Sequence, residues 1–187
     1  MNKRIYMSIT DAKSMRKGLE KLTKYRDDVL KKTETLVSRL REVGIQTAYA
    51  NSGQWRSVVY FKRDSIHIDE TDVSCMIIGT DGTKVIKEWY TDKALTNKRS
   101  YEVSPLLLAE FGSGWLANIS NWNVPGVGQG TMPNAEGHAF DRDGWWWYDT
   151  NGNKHHSYGE KPTYPMHAAM VAMMMEVDRI AREVFNG

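Results

Sequence analysis

The stretch TDAKSMRKGLEKLTKYRDDVLKKTETLVSRLREVG, residues 10–44, decides the fold class. Met15, Leu19, Leu22, Val29, Leu36, Leu40 and Val43 recur at alternating steps of three and four, with Arg26 and Thr33 at the two intervening stripe positions. That spacing lays one narrow apolar stripe along an amphipathic helix. Thr10 or Asp11 supplies an N-cap, and Gly44 a C-terminal stop. A helix of about 33 residues spans roughly 50 Å. This is long for a chain of 187 residues. Its interrupted stripe can pack on one sheet, or partly on a neighbouring subunit.

A second helix closes the sequence. Pro165 stands at its first position. Met166, Met170, Met173, Val177, Ile180 and Val184 form its stripe, widened by Ala169, Met174, Ala181 and Phe185. Met175 lies off that stripe and gives the helix a second apolar face, the kind of adaptable surface methionine suits.

Between the helices the period changes to two. KRIYMSI (residues 3–9), QWRSVVYFKR (54–63), DVSCMIIGT (72–80) and TKVIKEWYT (83–91) are rich in β-branched and aromatic residues and read as strands. Asp81-Gly82 reads as the hairpin turn joining the last two. DSIHIDETD (64–72) is a loop or a short extra hairpin. Ser104-Pro105 starts a short helix carrying Leu106, Leu107, Leu108 and Phe111, which Gly112 and Gly114 end. Residues 112–144, dominated by Gly, Pro and Asn, form a long irregular loop, and its Trp115, Trp122 and Phe140 argue against a free linker and for an excursion ordered either by itself or only against a partner. WWWYDTNGNKHHSY (145–158) is a hairpin with Asn151-Gly152 at its turn. Alternation puts Trp145 and Trp147 on one face, Trp146 and Tyr148 on the other. The fold class is therefore α+β: a long N-terminal and a C-terminal helix packed on a small antiparallel sheet, one domain over residues 1–187.

Composition narrows the function. Hydrophobic residues at 41% supply a core, and a formal charge of +2 exerts no general pull on nucleic acid or membrane. The single cysteine, Cys75, lies in an apolar run and reads as a small buried hydrophobe. The basic N-terminus has no signal-length apolar run behind it, so synthesis in a cytoplasm without export is expected. His155 and His156 are adjacent and point to opposite faces of a strand. His138 and His167 flank them at 17 and 11 residues, without metal-site spacing. No GxSxG elbow is present, and GVGQGT lacks the lysine of a phosphate loop. Neither metal, cofactor nor catalytic constellation is expected. The aromatic run Trp145–Tyr148 serves either as core or subunit interface, or as a platform for sugar rings.

The order of features resembles a known family. LLLAEFGSG (Leu106–Gly114), an aromatic GWWWYDTNG strand and turn, HHSYGEKPTYPM (His155–Met166) and a final IAREVF resemble the tail-component proteins of long-tailed bacteriophages. These are neck or tail-completion proteins at the head–tail junction. Only Ser52-Gly53-x-x-Arg56-Ser57 echoes the family's V-D-T-G-x-L-R-x-S element. The resemblance implies a non-enzymatic virion protein, assembled in the host cytoplasm as a homo-oligomeric ring. A hexamer is favoured, with a dodecamer as the other ring size. Its neighbours would be connector or head-closure and tail-tube proteins, with genomic DNA passing non-specifically through the lumen and no membrane partner. The residues it marks as motif and interface are Glu110, Phe111, Gly112, Gly114, Trp115, Trp122, Trp145, Trp146, Trp147, Tyr148, His155, His156, Pro165 and Met166. The alternative is a carbohydrate- or cell-wall-binding module built on the hairpin at 145–148.

Overall fold

A computed structural model describes residues 11–69, 71–83, 85–113 and 143–186. The strand expected at 3–9 and most of the loop expected at 112–144 lie outside the described residues.

Helix α1 runs Ala12–Ala50, 39 residues, or roughly 58 Å. Asp11 is its N-cap; the carboxylate accepts from Lys13 N at 3.0 Å and Ser14 N at 3.1 Å. The helix does not stop at Gly44. Ile45, Ala48 and Tyr49 continue an apolar face, and burying it outweighs the ~1 kcal/mol helix penalty of a glycine. Gly44 instead marks a close approach: a β-carbon there would sit 2.5 Å from Ile77 Cδ1 and 2.8 Å from Met173 Sδ. The helix ends where side chains take over its carbonyls. Asn51 Nδ2 donates to Thr47 O, and the buried Ser52 hydroxyl donates to Ala48 O, both at 2.8 Å.

Strands β1 (Val59–Arg63) and β4 (Ile77–Asp81) pair antiparallel, Val59 opposite Asp81 and Arg63 opposite Ile77. Val59 and Phe61 point into the core and Tyr60 into solvent, the period-two alternation of a half-buried strand. The segment at 64–72 resolves to the extra hairpin, β2 (His67–Ile68) with β3 (Val73–Ser74). The main core joins Ile45, Ala48, Val59, Phe61 and Ala169, with Tyr49, Trp55, Ile77, Leu106 and Met166 at its edge. Tyr49 packs edge-on against Phe61, ring centroids 5.0 Å apart, and its hydroxyl accepts from Phe61 N.

The Asp81-Gly82 hairpin is overturned. β5 (Val85–Tyr90) pairs with β6 (Lys98–Val103), a strand the sequence reading missed, not with β4. Asp81 serves as a helix cap: its Oδ1 accepts from Leu106 N at 2.8 Å, in the first turn of α2 (Pro105–Phe111). The N-cap hydroxyl, Ser104 Oγ, accepts from Leu107 N. A second sheet has the order β6-β5-β7-β8, with β7 at Trp145–Tyr148 and β8 at Lys154–Ser157. β7 meets β5 at Tyr148 opposite Tyr90.

Helix α3 spans Pro165–Asn186 and runs antiparallel to the C-terminal part of α1. Met173 meets Gly44, and Glu183 meets Arg39 at 2.5 Å near the other end. Its buried residues are Pro165, Ala169 and Ile180. Met170, Met174 and Val177 from the expected stripe are exposed instead. Close packing on α1 selects the small Ala169 side of the helix and turns Met170, Met174 and Met175 outward, while Met166 and Met173 stay against the core and α1.

Candidate functional site

The motif residues on either side of the undescribed loop come together as a clamp at the start of α3. Residues near a helix N-terminus leave backbone N–H groups without intrahelical partners. Here Glu110, from α2, supplies the acceptors: Met166 N donates to Oε2 at 2.7 Å and His167 N to Oε1 at 3.1 Å. Thr163 N and Tyr164 N both donate to Ala109 O. Pro165 lacks an N–H, so the first turn carries one orphan fewer.

The clamp has a second strap. Gly112 ends α2 with φ +72°, and a β-carbon there would run into Glu160 O and Pro162 Cδ. Beyond it Ser113 N donates to Glu160 O, and Glu160 N to Ser113 O, at 2.8 and 3.0 Å. The Glu160 carboxylate then turns to the second sheet. It pairs with the Lys87 ammonium from β5 and accepts from Gln54 Nε2 at 3.1 Å. Lys87 also sits over the Trp55 ring, 5.4 Å from its centroid. Glu110 and Glu160 thus tie α2, α3, β5 and the turn after α1 into one unit. Both carboxylates are engaged with fixed donors.

The tandem histidines have a role in the hairpin. The register sets His155 opposite Trp147 and His156 opposite Trp146. Each imidazole covers one indole, on opposite faces of the sheet. Trp147 and His155 stack at 4.3 Å with planes 20° apart; Trp146 and His156 lie at 4.3 Å and 38°. His155 Nε2 is 3.0 Å from Asp149 Oδ2, and His156 Nε2 is 2.6 Å from Asp143 O. Such aromatic pairs contribute about 0.5–1.5 kcal/mol each beyond burial.

Asp149 organises the turn. Its Oδ1 accepts from Asn151 N and Asn153 N, both at 2.9 Å, and its Oδ2 from Asn153 Nδ2. The Asn153 side-chain amide, then His155 and the backbone amides, hold its carboxyl well below the usual carboxylate range. Asn151-Gly152 lies at the turn as the sequence suggests, but only Gly152 has positive φ, +80°. The loop closes with Gly152 N donating to Asp149 O and Asp149 N to Asn153 O. That is a three-residue loop with a glycine bulge rather than a two-residue turn.

Trp146 keeps 56% of its surface exposed, and Tyr158 beside it packs edge-on to His156 at 4.5 Å. Lys154 Nζ lies 4.2 Å from the Trp146 centroid, so a sugar stacking there competes with both Lys154 and His156. Cys75 is half-buried between β3 and β4, and burial pushes its thiol up, away from thiolate chemistry. Among the described residues no three His, Cys, Asp or Glu side chains are grouped to hold a metal ion. No described helix is long and apolar enough to cross a membrane.

Of the residues marked from sequence, Glu110, Gly112, Pro165 and Met166 meet in the clamp, with Phe111 half-buried at the end of α2. Trp146, Trp147, Tyr148, His155 and His156 form the separate hairpin, and Trp145 is placed there by its backbone register alone. Gly114, Trp115 and Trp122 lie outside the described residues. Sequence reasoning missed Ser113, Asp149 and Glu160 as organising residues, and Lys87 and Gln54 as their partners. Glu160 sits inside the HHSYGEKPTYPM element, which is a signal; Lys87 and Gln54 carry none. No family model matches the chain, and comparisons with curated proteins and with solved structures return no match.

Proposed function

We propose that this chain is a structural protein of the bacteriophage head–tail junction, acting in the neck, in tail completion or as tail terminator. In this reading it is not an enzyme. It assembles in the host cytoplasm as a homo-oligomeric ring, most simply a hexamer, and enters the virion. The ring joins the connector to the tail tube and lets genomic DNA pass. The observation that carries the reading is the long helix. Residues 19–28 of α1 are all exposed, and Leu19, Leu22 and Tyr25 stand among them in solvent. An apolar stripe on a rigid rod beyond the body of the fold is a surface that calls for a partner. The clamp supports the same reading, because Glu110 and Glu160, within the stretches that carry the family resemblance, are spent on holding a framework together. A formal charge of +2 suits passage of DNA rather than its capture, which needs many phosphate contacts.

The test is direct. The mass of the purified protein is followed by light scattering over a range of concentrations, and particles are imaged for rings. Extracts with heads and tails but without this protein are then supplied with it. Rings and restored head–tail joining are expected. A chain that stays monomeric and leaves joining unchanged rules the reading out.

The exposed Trp146 favours the carbohydrate-binding alternative enough to test it. Soluble cell-wall oligosaccharides that quench tryptophan fluorescence in the parent, and lose the effect in Trp146→Ala, would support it over the ring.

A further inference from the structure

Among the described residues two apolar faces stand exposed, and they differ. The first is the projecting part of α1. Met15, Leu19 and Leu22 continue at helical spacing the same stripe that includes Leu36 and, beside α3, Leu40. Leu19 is 59% exposed. The second face lies on α3. Met170, Met174 and Val177 form one line of it, flanked by Met175, and Met174 and Met175 are 69% and 77% exposed. Met170 also borders an open apolar cleft of about 380 Å³ between α1, α3 and the β3–β4 segment, lined by Val37, Leu40, Ile77, Met166 and Met173.

We propose that the projecting α1 of one copy of this chain docks on the α3 methionine face and cleft of a second copy, head to tail. The inference rests on the ring reading above and names its subunit interface. Charge decides between this arrangement and a two-fold α1–α1 contact. Residues 11–32 hold eight Lys and Arg against four Asp and Glu, an excess of four positive charges. Residues 165–186 hold two arginines against three acids, an excess of one negative charge. Pairing α1 with itself brings two positive rods together, whereas pairing it with α3 brings unlike surfaces together. Asp178, one turn beyond Met174, is exposed on α3 and available to the basic residues flanking the α1 stripe.

The lengths agree as well. Met15 to Leu22 and Met170 to Val177 each cover seven residues, roughly 10 Å of helix. Methionines adapt to the shape of whatever leucine or tyrosine arrives. A contact between two different patches on identical subunits is heterologous, so it propagates until it closes as a ring or runs on as a filament. One helix-on-helix contact of two turns buries less than the roughly 1,200 Å² at which stable interfaces begin. Closure, which gives every subunit two such contacts, then supplies the stability.

The experiment uses the full chain in three forms: parent, Leu19→Ser with Leu22→Ser, and Met174→Ser with Met175→Ser. All substituted side chains are exposed, and thermal melting checks that each monomer folds as the parent does. Each variant alone should lose the ring and run as a monomer. At high concentration their mixture should form dimers and no larger species, since each partner brings one intact face. Three outcomes overturn the inference. If only the α1 variant loses assembly, the contact is α1 on α1. If the parent forms rings and both variants form them equally, the interface lies elsewhere and the ring reading survives. If the parent is monomeric at every concentration and both variants melt lower, the faces are covered within one chain, and the ring reading falls with the inference.

Discussion

Replacing Glu110 separates a structural role for the EFG element from a chemical one. Its carboxylate accepts from Met166 N and His167 N, the free donors of the first turn of α3. Tyr164, just before Pro165, has φ +55° and no short side-chain oxygen to cap with. A net hydrogen bond to a charged group is worth about 1.5–3 kcal/mol, and loss of a helix cap about 0.5–2 kcal/mol. Glu110 is partly exposed, so water replaces some of what is lost. Glu110→Ala should therefore cost about 2–3 kcal/mol. Glu110→Gln retains one acceptor but sets its NH₂ against the second N–H, and should cost about 1–2 kcal/mol. For a chain of this length 1 kcal/mol shifts the melting point by roughly 2–4 °C, so the alanine variant should melt about 4–12 °C lower. Urea denaturation measures the free energies, and hydrogen exchange at the Met166 and His167 amides localises the loss. A glutamine variant as stable as the parent, or an alanine variant within about 0.5 kcal/mol of it, would refute the capping argument.

Three further outcomes follow from the same geometry. Gly44→Ala gains about 1 kcal/mol of helix propensity but pushes on Ile77 Cδ1 and Met173 Sδ at an overpacking cost of about 1–3 kcal/mol. A net loss of up to about 2 kcal/mol is expected, and adding Ile77→Val, which removes the obstructing Cδ1, should recover part of it in a double-mutant cycle. Gly112→Ala, at φ +72° and ψ −166°, meets both backbone strain and the Glu160 carbonyl; denaturation should show a loss of at least about 2 kcal/mol. The Asp149 carboxyl titrates below its unfolded value of about 3.9. Its contribution is thus present above that pH and is lost only as pH falls through the lower folded value. Amide exchange at Asn151 and Asn153 should stay slow from pH 7 to about pH 4 once corrected for the intrinsic rate, and loosening already near pH 5 would contradict this.

The helices were legible because their signals are local. Asp11 caps α1, and Ser104 with Pro105 starts α2, at the positions where short-range chemistry places them. What misled was residue type without partner. Gly44 has the form of a stop signal, yet Ile77 and Met173, 33 and 129 residues away in sequence, use its bare Cα for close packing. Asp81-Gly82 has the form of a hairpin turn, yet Asp81 is drawn to the N–H of Leu106, and β5 leaves for another sheet. The strand KRSYEV was missed because four of its six residues are charged or Ser, and its place at the edge of the second sheet tolerates that. The stripe of α3 was right for Met166, Ala169, Met173 and Ile180 and too wide for Met170, Met174 and Val177, because periodicity gives a face but not how much of it a neighbour covers.

The hairpin shows how a run that looks chemical can be specified by packing alone. A strand turns successive side chains to opposite faces, so three tryptophans in a row put indoles on both sides of the sheet. A partner strand that covers both must itself carry flat side chains at consecutive positions. His155 and His156 do so, each opposite its own tryptophan. A metal held by both histidines together would need the two imidazoles on one side, which the same alternation forbids within β8. Nε2 of each imidazole is engaged locally, that of His155 by Asp149 and that of His156 by the Asp143 carbonyl. The cover is uneven, since Trp147 is partly buried while Trp146 remains mostly in solvent. The tandem histidines are therefore accounted for by the tandem tryptophans, and among the described side chains of this segment Trp146 and Tyr158 remain the exposed aromatics.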